Sequence, residues 1–171
     1  MKRSLSIIML VLLASVAVLA QDEDKSKRPS PPAVAEGTID GVKVKIDYSK
    51  PSVKGRKIFG GLEKYGDVWR TGANETTTIE FSAPVKIEGQ NVAAGKYALF
   101  TIPGETEWTV IINTGIKWGH YTYKKEEDVI RATVKPTKTP ALVEVFNIAV
   151  EKNQVVIKWE NTQVAFKVTK Q

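Results

Sequence analysis

Val42 to Tyr48, VKVKIDY, sets Val42, Val44, Ile46 and Tyr48 on one side and Lys43, Lys45 and Asp47 on the other. Successive side chains of a strand point to opposite faces, so this period of two predicts a strand with one face buried. The same alternation recurs in both directions along the chain. Thr77, Ile79 and Phe81 share a face, as do Val85 and Ile87, and Glu88-Gly89-Gln90-Asn91 marks a turn. Lys96 to Ile102 is nearly all apolar and closes on Pro103-Gly104; Glu107 to Asn113 answers it with Trp108, Val110 and Ile112. These two runs predict a hairpin turning at Pro103 to Thr106.

Four more strands are predicted over Val129–Lys135, Val143–Val150, Val155–Glu160 and Val164–Val168, with polar turns at Glu151–Gln154 and Glu160–Gln163. No segment carries a helical period over the roughly ten residues a helix requires, and Lys124 to Asp128 is at most one turn. The expectation is an all-β fold, an antiparallel β-sandwich or a jelly-roll-like barrel of about eight to ten short strands.

Met1 to Ala20 has the form of a secretory signal: Lys2 and Arg3, an apolar run from Leu5 to Leu19, and a small-residue exit before Gln21. The run is shorter than the roughly 18 to 20 apolar residues of a spanning helix, so cleavage is expected, with no membrane span left after it. The predicted location is the periplasm or the extracellular space. Gln21 to Gly37, QDEDKSKRPSPPAVAEG, reads as a disordered leader, being rich in charge, serine and proline without periodicity. Residues 38–171 then form a single β-sandwich domain.

The chain has no cysteine, so neither disulfides nor thiol chemistry enter. Its formal charge is +6, and losing Lys2 and Arg3 leaves +4. Cations scattered through alternating strands read as solvated faces, and export removes the usual acidic polymer, so no nucleic acid is expected as a partner. A small molecule, glycan or peptide fits better.

One connection interrupts the strand pattern. Lys50 to Lys57 holds four cations and no acid, and the chain returns through Trp69-Arg70-Thr71-Gly72-Ala73-Asn74-Glu75 into the next β-branched run. A structureless connection beyond about 12 to 15 residues is uncommon in a compact domain. Catalytic templates do not fit it. A single histidine, His120, rules out a His-rich zinc site, no serine occupies a nucleophile elbow, and Gly60, Gly61 and Gly66 form no phosphate loop. No cofactor and no metal are expected.

Arg56, Trp69, Arg70, Asn74 and Glu75 in this connection, with Trp118 and Tyr121 in a second one, are the candidate binding residues. Arginine forks grip carboxylates or phosphates, and aromatic faces stack on flat groups or sugars. The alternative is structural: Arg70 pairs with Glu75 or Asp67, Trp69 anchors the core, and Gly72-Ala73-Asn74 is a tight turn. Trp108 and Trp159, inside alternating strands, read as core. Asn74-Glu75-Thr76 also matches a glycosylation pattern, which at this length arises readily by chance.

YSKPSVKGRKIFGGL, DVWRTGANETTTIEF, GKYALFTIPGETEWTVIIN and WGHYTY resemble successive motifs of the domain of unknown function 2911 family of exported bacterial proteins, from Thr38 to Lys167. The resemblance implies one β-sandwich-like domain and bacterial export, and no assigned reaction. Its pattern falls on Arg56, Trp69, Arg70, Gly72, Ala73, Asn74 and Glu75, then on Trp118, Gly119 and Tyr121, without His120.

Three functions follow. A binding module would gather Arg56, Arg70, Asn74 and Glu75 into a recess walled by Trp69, Trp118 and Tyr121. A hydrolase-like enzyme would use Glu75 as general base, its pKa raised by burial, with Arg70 stabilising negative charge. A structural envelope protein would use the same segment as a brace and offer an apolar outer face.

Overall fold

The computed structural model describes residues 24–118 and 120–171, with the backbone but not the side chain of His120. The predicted signal over residues 1–20, the leader as far as Glu23, and Gly119 lie outside the described residues.

Among the described residues, ten strands form two antiparallel sheets that pack as a sandwich. β1 (Pro32–Ile39), β2 (Val42–Ser49), β3 (Thr78–Phe81), β6 (Gly95–Ile102), β7 (Trp108–Asn113) and β8 (Asp128–Val134) build the larger sheet, in the order β1-β2-β3-β6-β7-β8. β4 (Val85–Ile87), β5 (Gln90–Val92), β9 (Thr137–Glu151) and β10 (Gln154–Lys170) build the smaller, in the order β5-β4-β10-β9.

Alternation places the side chains as expected. Val42, Val44, Ile46 and Tyr48 of β2 face the interior, and Lys43 and Lys45 face water. Ile39 pairs with Val42 across a two-residue turn, Asp40-Gly41, whose φ values of 49° and 82° match the right-handed twist of the flanking strands.

Between the sheets Phe59, Trp69, Trp108, Phe146 and Trp159 form one ring cluster. Phe59 and Trp108 meet edge to face at 4.7 Å, and Trp69 lies nearly parallel to Trp159 at 5.7 Å. All five are buried. Trp108 and Trp159 are core residues, as predicted, and this cluster pins the long connection to both sheets.

Two expectations are corrected. Residues 32–37, read as part of the leader, begin β1 and pair with Val44 to Ser49 of β2. Small residues facing inward, Ala33, Ala35 and Gly37, give too weak an apolar signal to stand out among prolines and charges. The turn expected at Glu160–Gln163 is instead a bulge inside β10, a continuous strand of 17 residues. The pairing with β9 slips on either side of Glu160, whose φ is 54°. A bulge uses the same polar, positive-φ residues as a turn but keeps the chain direction. β9 likewise begins earlier than predicted, at Thr137, and carries Pro140 on the outer strand of its sheet, where a missing N–H is tolerated.

Candidate functional site

The WRTGANE segment is a loop thrown out from the middle of the larger sheet. Trp69 exchanges backbone hydrogen bonds with Thr101 of β6 at 2.7 and 2.9 Å, and Leu99 donates to the Thr77 carbonyl at 2.9 Å. Opposite Phe100 alone, the facing chain therefore inserts residues 70–76.

The insertion is fastened from inside. The Trp69 indole N–H donates to the Gly72 carbonyl at 3.0 Å, and the Thr77 hydroxyl donates to the Thr71 carbonyl at 2.8 Å. The hydroxyls of Thr71 and Thr101 lie 3.1 Å apart. Gly72 has a φ of 153°, and a Cβ there would stand 2.9 Å from Thr77 Oγ1 and 3.1 Å from the Ser49 carbonyl. Only glycine fits that backbone and that gap.

The outer side of the insertion holds residues 24–31. Asn74 Nδ2 donates to the Ser30 carbonyl at 2.8 Å. Glu75 Oε1 accepts from Arg28 at 2.8 Å and lies 3.1 Å from Lys25 Nζ. Burial works against ionisation of Glu75, but Arg28, its own backbone N–H and Lys25 outweigh it and bring the carboxyl down to about 2. The enzyme expectation, a Glu75 base raised toward neutrality, is overturned: these cations hold it as a carboxylate far below that range.

The second connection touches the first. The Thr76 hydroxyl donates to the Lys117 carbonyl, and buried Asn113 shapes what lies between. Asn113 Nδ2 donates to the Lys124 carbonyl at 2.9 Å and to Asp128 Oδ1 at 2.8 Å, while its own oxygen accepts from the Gly115 N–H at 2.7 Å. Tyr123 thereby meets Phe100 edge to face, ring centroids 5.3 Å apart, over a small apolar cluster of Ala98, Phe100 and Ile111 on the outer face. Its hydroxyl donates to Asp128 Oδ2 at 2.7 Å and accepts from Arg131 at 2.8 Å. Burial and the Asp128 carboxylate push this phenol up to about 12, with Arg131 opposing them.

The predicted residues divide accordingly. Trp69 is 1% exposed and belongs to the core, so it walls no recess. Asn74 and Glu75 hold the leader. Trp118 and Tyr121 stand in water, 66% and 82% exposed. Arg56 is exposed, with Nε donating to the Val53 carbonyl at 3.0 Å and Nη2 to the Ser52 carbonyl at 2.6 Å. It borders a cleft of about 300 Å³ with Pro29, Ser30, Ser52 and Lys54. Glu75 and Thr76 border a smaller cleft, about 200 Å³, with Lys25, Val34 and Tyr48. Arg70, Trp118 and Tyr121 line neither.

Arg70 is half-buried and acts on Glu63, a residue the sequence reading did not single out. Burial raises the Glu63 carboxyl, against the pull of Arg70 and Arg56. Its one sequence signal is position: it is the first acid after the cations Lys50, Lys54, Arg56 and Lys57. Thr71, Thr76 and Asn113 were also passed over, since hydroxyls and amides in strand ends look like ordinary β-sheet residues. Among the described residues no group of three or more His, Asp or Glu side chains could hold a metal ion, and no helix is long and apolar enough to cross a membrane.

No curated protein and no solved structure gives a significant match to the chain. A family model described as "Protein of unknown function (DUF2911)" matches residues 30–168, which takes in every strand but the ends of the fold and both connections just described. With most of its length covered, the chain belongs to that family.

Proposed function

We propose that this protein is an exported ligand-binding module, working in the periplasm or outside the cell, whose recognition surface is built on Trp118 and Tyr121. The observation that carries this is the exposure of Trp118 and Tyr121 on a loop fastened at both ends, by Thr76 to the Lys117 carbonyl and by Asn113 to the Lys124 carbonyl. Large rings held in water lose hydration favourably when a flat ligand stacks on them, and a fastened loop loses little freedom on binding. The exposed ring faces, with Lys117 next in the chain, suit a glycan. In this reading the WRTGANE insertion is the platform rather than the pocket.

Trp118 is the one exposed tryptophan of four, the other three being buried, so its emission reports on this surface alone. Titrating the protein with soluble oligosaccharides should shift that emission, and Trp118→Ala should abolish the response without lowering the melting temperature. Saturable glycan binding that survives Trp118→Ala, or no response to any neutral or charged oligosaccharide, would refute the assignment. Export is tested separately by fusing residues 1–23 to a reporter that is active only outside the cytoplasm.

A further inference from the structure

The cleft beside Arg56 stands apart from the aromatic loop, and its lining is one-sided. Lys54 and Arg56 bring two positive charges, Ser30 and Ser52 bring two hydroxyls, and Pro29 adds an apolar wall; among the described residues no acid lines it. Most surface cations sweep through solvent, but the Arg56 guanidinium is fixed by its bonds to the Val53 and Ser52 carbonyls. Two of its five N–H donors are committed there, which leaves a preset fork.

Lys54 is held as well. Its φ is 49°, and its backbone N–H donates at 2.9 Å to Glu144 Oε1, so that acid is turned to the backbone rather than to the ammonium group. The contrast with other cations is direct. Lys25 and Arg28 close on Glu75, Lys96 on Asp47 and Arg131 on Asp128. The acid that faces Arg56 electrically is half-buried Glu63.

We infer that this cleft is an anion-binding site for the phosphate group of a small molecule, with Arg56 as the bidentate donor, Lys54 as the point charge, and the hydroxyls of Ser30 and Ser52 as neutral donors. A phosphate monoester has three terminal oxygens and up to two charges, enough acceptors for all four groups; a carboxylate has two oxygens and one charge. The site does not depend on the glycan surface, since it shares no residue with it. It does depend on the leader: Ser30 is held by Asn74, so the insertion sets one wall of the cleft.

The test is calorimetric titration of the full protein with inorganic phosphate, glycerol phosphate and acetate at matched ionic strength. Phosphate and glycerol phosphate should bind saturably and acetate at least about tenfold more weakly, the loss expected for one charge-assisted hydrogen bond. Lys54→Ala and Arg56→Lys should each weaken phosphate by a similar factor, the latter because a lysine keeps the charge and loses the fork. Lys138→Ala, which removes a distant charge from β9, should change nothing. If Arg56→Lys loosens its loop, Lys54→Ala still decides, because that side chain makes no bond to another described residue. No saturable phosphate binding, equal binding of acetate, or equal weakening by Lys138→Ala would each overturn the proposal.

Discussion

Replacing Glu75 by glutamine should release the leader from the insertion, and the size of the effect follows from the carboxyl's surroundings. The ordinary glutamate value is 4.5, and Arg28 and Lys25 bring Glu75 to about 2. At 1.36 kcal/mol per pKa unit, that difference sets a ceiling of about 3.4 kcal/mol. The side chain is 39% exposed, however. Water and salt screen such a pair, and exposed ion pairs contribute about 1 kcal/mol or less, so a loss of about 1 kcal/mol is expected at neutral pH. Because the folded-state value is depressed, the contribution is complete above the unfolded value near 4.5 and disappears as pH falls toward 2. The difference between wild type and Glu75→Gln should therefore shrink as urea melts are moved from pH 7 to pH 3. Hydrogen exchange should quicken at Arg28, Ser30 and Lys50, whose amide donates to the Pro31 carbonyl at 2.9 Å, and stay unchanged in the middle of β2. A gap that does not vary with pH, or leader amides as protected as in wild type, would refute this account of the strap.

Three further outcomes are expected. Gly41→Ala should destabilise by roughly 1–2 kcal/mol in urea melts through its positive φ alone, because a Cβ there meets nothing within 4 Å. Asn113→Ala should cost about 2–3 kcal/mol and raise the mobility of residues 114–118 in relaxation measurements, since it strands the Gly115 N–H and the Lys124 carbonyl together. Tyr123 and Tyr48 should both ionise above the ordinary tyrosine value of 10 by phenolate absorbance, Tyr48 because burial raises it. Stability should fall as pH rises from about 10 to about 12, the span over which an unfolded Tyr123 loses its proton and the folded one keeps it, and Tyr123→Phe should lessen that fall.

The strands were legible wherever a polar residue faced water between two buried ones. β2 meets that condition, because the sandwich covers one of its faces; the β6–β7 hairpin was legible instead from its nearly continuous apolar run and from the turn chemistry at Pro103-Gly104. β1 was hidden because its inward positions are Ala33, Ala35 and Gly37, too small to write a period over the surrounding prolines. Glu160 was misread because a bulge and a turn ask the same of a single residue.

For the candidate site, the sequence marked out two connections and could not say what each residue does there. Trp69, Thr71 and Gly72 are spent on bracing the insertion, which depends on Thr101 and Ser49, residues far away in the chain. The partners of Glu75 lie in a segment whose composition argued against any fixed structure. Lysine and arginine so close to prolines signal disorder until an acid on another element fixes them.

Every strand of the six-stranded sheet precedes Lys135, whereas β10 contributes the pairing of Val168 with Ile87 across half the chain. During synthesis the larger sheet is thus complete before β9 and β10 exist, and Trp69 lacks its ring partners Phe146 and Trp159. Such an intermediate is a template for aggregation until the β9–β10 hairpin arrives to close it. A nascent chain of this design benefits from being kept unfolded by a holding chaperone until it is complete.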